Sequence, residues 1–88
     1  MIEVYYAEDD KVIGKSVKEY LEQQNCKVTV FEAIADIRKA LINHLPSVVL
    51  LDWNMPDGQG NDLCLWIRER WNDLPIIYLT VRGDSHDI

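Results

Sequence analysis

The apolar positions of this chain switch between two periods. Residues 2–7, IEVYYA, are β-branched and aromatic and run into three acids, a pattern that predicts a short buried strand. Residues 10–25, DKVIGKSVKEYLEQQN, set Ile13, Val17, Tyr20, Leu21 and Gln24 at helical spacing with Lys and Glu elsewhere, which predicts an amphipathic helix. Asp9 or Asp10 is its candidate cap, and Asn25 its stop. Gly14 costs a helix about 1 kcal/mol relative to Ala, so its presence points to a close backbone approach. Residues 27–31, KVTVF, alternate as an edge strand does. Residues 33–45, AIADIRKALINHL, align Ile34, Ile37, Leu41 and Leu45 in a second amphipathic helix stopped by Pro46. Residues 47–51, SVVLL, are apolar on both faces, as a central parallel strand is. Residues 61–72, NDLCLWIRERWN, predict a third helix with Leu63, Ile67 and Arg70 or Trp71 along one side. Pro75 opens a fourth strand, IIYLT (76–80), and the polar VRGDSHDI follows.

Strands that alternate with amphipathic helices imply right-handed crossovers and a parallel sheet covered on both faces, an α/β fold. Residues 1–88 form one domain, with no repeat, linker or low-complexity tract. The series stops without a closing helix, so the expectation is the N-terminal part of a longer domain.

Composition narrows the function classes. With 48% hydrophobic and 27% charged residues the chain reads as soluble and globular. Its apolar runs fall far short of the roughly 20 residues needed to span a bilayer. The start, MIEVYYAEDD, has no basic segment leading into an apolar stretch and cleavage site, so a cytoplasmic location with no membrane is expected. A net charge of −6 argues against binding of nucleic acid by this segment, because such binding depends on neutralising phosphates. Cys26 and Cys64 match no zinc spacing and read as small hydrophobes in a reducing compartment. His44 and His86 read as solvent-facing, Tyr5 and Tyr6 as strand packing, and Trp66 and Trp71 as core or partly exposed helix surface.

The candidate chemistry lies where strands end. In open α/β sheets the functional crevice lies beyond the carboxyl ends of the strands, where the winding direction reverses. There the first strand hands over to Glu8, Asp9 and Asp10, the third to Asp52, and the fourth to Thr80. A single strand-end acid is ordinarily a cap or turn residue, but polar groups at three strand ends are harder to assign to capping alone. Carboxylates crowded together repel one another, and a hard cation such as Mg²⁺ relieves that repulsion. Asp52 leaves a strand buried on both faces and is placed to attack phosphorus and become an aspartyl phosphate, with the Thr80 hydroxyl bonding the new phosphoryl oxygens.

The stretches YYAEDDKVIG, VVLLDWNMPDGQG and PIIYLT, in this order and at these separations, resemble the receiver domain of bacterial two-component response regulators. The resemblance implies a flavodoxin-like, doubly wound parallel sheet of order 2-1-3-4, its fifth strand missing, with helices on both faces. It implies that Asp52 is the phosphoacceptor and that Glu8, Asp9, Asp52 and the Asn54 backbone carbonyl hold Mg²⁺. An Asp9–Asp10 pair is the alternative register. Thr80 falls on the switch hydroxyl and Val81 on the small residue lining phosphoryl access, while Met55-Pro56, Gly58 and Gly60 fit the loop over the site. Trp53 is expected beside it. The implied donor is a sensor histidine kinase. The implied output is a DNA-binding domain of a transcription regulator, or else protein contacts of a stand-alone receiver. The family's Lys-Pro pair, its aromatic switch residue and its last two helices fall beyond Ile88. The expectation is therefore a truncated domain whose fourth strand presents an apolar edge, open to self-association or exchange of elements.

Two enzyme classes fit less well. A phosphatase of the haloacid dehalogenase type needs an acid two residues after the nucleophile, where this chain has Asn54. A flavin or dinucleotide module needs a Gly- or Ser/Thr-rich phosphate loop where Glu8, Asp9 and Asp10 stand. The expected role is a switch, not an enzyme with turnover.

Overall fold

A computed structural model describes residues 1–52, 54–55 and 58–79. Expectations placed on Trp53, Pro56, Thr80, Val81 and His86 lie outside the described residues. The element order is β1 (Ile2–Ala7), α1 (Lys11–Gln23), β2 (Cys26–Phe31), α2 (Ile34–Asn43), β3 (Val48–Asp52), β4 (Asn54–Met55), β5 (Gly58–Gln59), α3 (Gly60–Arg70) and β6 (Ile76–Leu79). Four strands form one parallel sheet in the order β2-β1-β3-β6, the predicted doubly wound arrangement.

Strand alternation sorts the core onto two faces. Tyr5 and Ala7 of β1 and Val49 and Leu51 of β3 point to one side, where Ile34, Ile37 and Leu41 of α2 and Leu63 and Ile67 of α3 cover them. Val4, Tyr6 and Leu50 point to the other, with Val17 and Leu21 of α1 packed against them. β3 is thus apolar from Val48 to Leu51 because each of its faces meets helices. Ile37 is fully buried, a burial that contributes about 1.5–3 kcal/mol.

The helix boundaries follow from local chemistry. Asp10 caps α1, its Oδ1 accepting from the backbone N–H groups of Val12 at 2.9 Å and Ile13 at 3.1 Å. Asn25 takes a left-handed φ of 68°, which terminates the helix, and Asn tolerates that conformation better than most residues. A Cβ on Gly14 would lie 3.2 Å from Val30 Cγ1 and 3.7 Å from Glu8 Cγ, so α1 does approach β2 and the β1 end closely there.

Three details differ from the sequence expectation. Leu45 is exposed rather than on the α2 stripe, because the helix stops at Asn43 and the residue before Pro46 is driven to extended backbone. Tyr20 is also exposed, on the margin of the α1 stripe. Residues 54–55 and 58–59, expected within the loop over the site, form an antiparallel pairing of β4 with β5, Asn54 opposite Gln59 and Met55 opposite Gly58. Backbone groups of two short segments lying side by side pair in this way. His44 is exposed as expected, yet its Nε2 lies 2.7 Å from Glu3 Oε1.

Candidate functional site

β1 and β3 are hydrogen-bonded neighbours with Ala7 opposite Leu51, so the residues that follow each strand emerge side by side. One carboxylate oxygen from each of Glu8, Asp9 and Asp52 lies within 4.8 Å of the others. Their surroundings are graded: Glu8 is buried at 2% exposure, Asp52 is half-buried and Asp9 is exposed.

Glu8 is held firmly. Its backbone N–H donates to Phe31 O at 2.9 Å, tying the end of β1 to β2. Its Oε1 accepts from the Tyr6 hydroxyl at 3.0 Å and its Oε2 from the Asp10 backbone N–H at 3.1 Å. Burial pushes the Glu8 carboxyl above its ordinary value; the Asp10 and Tyr6 hydrogen bonds oppose that push, while Asp52 and Asp9 add to it. The Tyr6 hydroxyl is likewise pushed well up, first by burial and then by its bond to Glu8.

Of the two possible acid pairs, the fold brings Glu8 and Asp9 to Asp52 and spends Asp10 on the α1 cap. Asn54 follows two residues after Asp52, in β4. Thr80 lies outside the described residues. The part that sequence reasoning missed is Tyr6, taken as packing alone. The available signal was its spacing: positions i and i+2 at a strand end share a face, so Tyr6 and Glu8 project together.

The donors suit a hard divalent cation, since all are carboxylate oxygens. Mg²⁺ bonds of ~2.1 Å place neighbouring donors ~3.0 Å and opposite donors ~4.2 Å apart, so oxygens gathered within 4.8 Å must draw in to bind the ion together. Without a cation, three carboxylates remain crowded at one sheet edge around a group pushed toward its neutral form.

Comparison with known proteins agrees with this arrangement. The family model for the response regulator receiver domain matches residues 4–88. The transcriptional regulatory protein GltR of Pseudomonas aeruginosa is 35% identical over 86 residues, covering 96% of this chain and 36% of that protein. This chain thus spans about a third or less of the length of the curated relatives it matches. Among solved structures, the non-phosphorylated HemR receiver domain of Leptospira biflexa superposes with a TM-score of 0.86 at 30% identity, covering 99% of this chain and 70% of that one. The BeF3-activated receiver domain of Klebsiella pneumoniae RstA gives a TM-score of 0.84 at 28% identity, covering 96% and 72%. With its strand order, its acidic cluster and these matches in agreement, the chain belongs to the response regulator receiver domain family.

Proposed function

We propose that this chain is a phosphorylation-driven switch in which Asp52 accepts a phosphoryl group from a sensor histidine kinase. The observation that carries this reading is the convergence of Glu8, Asp9 and Asp52 within 4.8 Å at the carboxyl edge of β1 and β3. In this reading Glu8, Asp9, Asp52 and the Asn54 backbone carbonyl would hold Mg²⁺. When bound, Mg²⁺ neutralises these carboxylates and the oxygens of the incoming phosphoryl group. A carboxylate oxygen of Asp52 forms the new P–O bond as the P–N bond to the donor histidine breaks. The rigid β3, packed on both faces, fixes the position of that oxygen for attack.

Thr80 bonds the new phosphoryl oxygens, and the added charge biases a two-state rearrangement that changes partner contacts. The domain is a switch and turns over no substrate of its own. The similar proteins are transcriptional regulators of which this chain matches about a third, which supports a DNA-binding output domain in the full-length protein. No helix among the described residues is long and apolar enough to cross a membrane, and the site of action in this reading is the cytoplasm.

The test is intact mass of the full-length protein after treatment with acetyl phosphate and Mg²⁺. One added phosphoryl mass on the wild type, absent from Asp52→Asn and absent without Mg²⁺, is expected. No added mass, or equal labelling of Asp52→Asn, refutes the assignment.

A further inference from the structure

We propose that Tyr6 is a positioning residue for the acidic site, its hydroxyl holding the Glu8 carboxylate toward Asp9 and Asp52. This rests on reading those three acids as a cation site. Tyr6 is fully buried in the middle of the sheet, on the face covered by α1. Packing alone asks nothing of its oxygen there: a phenyl ring buries the same apolar face and leaves no polar group to satisfy. The hydroxyl instead meets Glu8 Oε1 at 3.0 Å.

The geometry has a reason. Glu carries one more rotatable bond than Asp, so its carboxylate has more places to go and needs fixing before it can serve as a ligand. Tyr6 fixes one oxygen and the Asp10 backbone N–H fixes the other, at 3.1 Å. A carboxylate offers about four lone-pair positions, so about two remain to face the other acids. Gly14 packs beside this side chain, since a Cβ there would sit 3.7 Å from Glu8 Cγ, in van der Waals contact.

The experiment is calorimetric titration of MgCl₂ into the full-length protein, well below the melting temperature of each variant. It compares wild type, Tyr6→Phe, Glu8→Gln, the double variant and Asp52→Asn. Removing an outer hydrogen-bond partner of a metal ligand typically weakens affinity about 10- to 100-fold, and that loss is expected for Tyr6→Phe. Because the effect acts through Glu8, Tyr6→Phe should cost little further affinity in the Glu8→Gln background. A purely structural role would lower stability while leaving the wild-type Mg²⁺ affinity in place. That outcome, or an equal loss of affinity in both backgrounds, overturns the inference while the cation site stands. Absence of saturable Mg²⁺ binding in wild type, or unchanged binding by Asp52→Asn, overturns the cation site and the inference together. Should Tyr6→Phe fold poorly, 4-fluorophenylalanine at position 6 fills the hydroxyl volume without a donor and is held to the same outcomes.

Discussion

Replacing Glu8 with Gln separates what the acidic site costs the fold from what it does for function. The substitution keeps the shape of the side chain and removes one charge from a buried position. Gln can still accept from the Asp10 N–H and can donate to the Tyr6 oxygen, so neither partner is abandoned. At the 4.8 Å spread of the cluster, each like-charge contact costs about 0.9 kcal/mol in water and about 3.5 kcal/mol at an effective dielectric of ~20. The raised position of the Glu8 carboxyl shows that burial and repulsion together outweigh its two hydrogen bonds. Set against the weakening of two charge-assisted bonds, a net gain of about 1–3 kcal/mol for the metal-free variant follows at neutral pH and low salt. The dependence on pH has a definite sign. A carboxyl raised in the folded state gives its full stability below its unfolded value, near 4.5, and loses it as pH rises through the folded value. Wild type and variant should therefore differ least in acid, with the variant's advantage opening as pH rises. Urea unfolding in EDTA across pH, repeated with saturating Mg²⁺, measures both effects. Mg²⁺ should stabilise wild type strongly and the variant weakly. A variant less stable than wild type in EDTA at neutral pH, or one gaining as much from Mg²⁺, refutes the reasoning.

Further outcomes are expected at three positions. Asp10→Ala removes the α1 cap and should cost about 1 kcal/mol in a urea melt, since Ala satisfies neither the Val12 nor the Ile13 N–H. Because Asp10 stands outside the cluster, its loss should change Mg²⁺ affinity by less than about fivefold, the scale of an exposed charge contact; a collapse of affinity would favour the Asp9–Asp10 pair instead. Ile37→Ala empties a fully buried position between α2 and the sheet and should cost about 2–5 kcal/mol by the same melt, with a loss under ~1 kcal/mol counting against the packing described. Gly14→Ala should leave stability within about 1 kcal/mol of wild type, helix propensity offsetting the 3.2 Å approach to the Val30 methyl. Gly14→Leu should destabilise by about 1–3 kcal/mol through overpacking, and a neutral result would show that α1 does not lie so close.

The broad architecture was legible because hydrophobic period is a local property. Ile34, Ile37 and Leu41 share a helix face by spacing alone, and all three are buried. Val49 to Leu51 is apolar without a break, which only a strand covered on both sides tolerates, and β3 is that strand. Asp52 stands out for the same reason, as the first polar group after such a run. Leu45 and Tyr20 were misjudged because periodicity assigns a face without saying where the stripe runs out.

The sequence by itself thus determined the four strands of the parallel sheet, the helices, their alternation and the position of Asp52, all consequences of spacing, capping and turn chemistry within a few residues. The tertiary structure decided which acids meet Asp52 and what holds them. Glu8, Asp9 and Asp10 are adjacent acids at one strand end, and spacing alone left Asp9 and Asp10 both open as the α1 cap. They become different only when β1 lies beside β3, when α1 begins where Asp10 can cap it, and when the Tyr6 hydroxyl comes to rest on Glu8 Oε1. Such contacts depend on distance in three dimensions between groups with several conformations, and local pattern carries no information about which conformation packing will select.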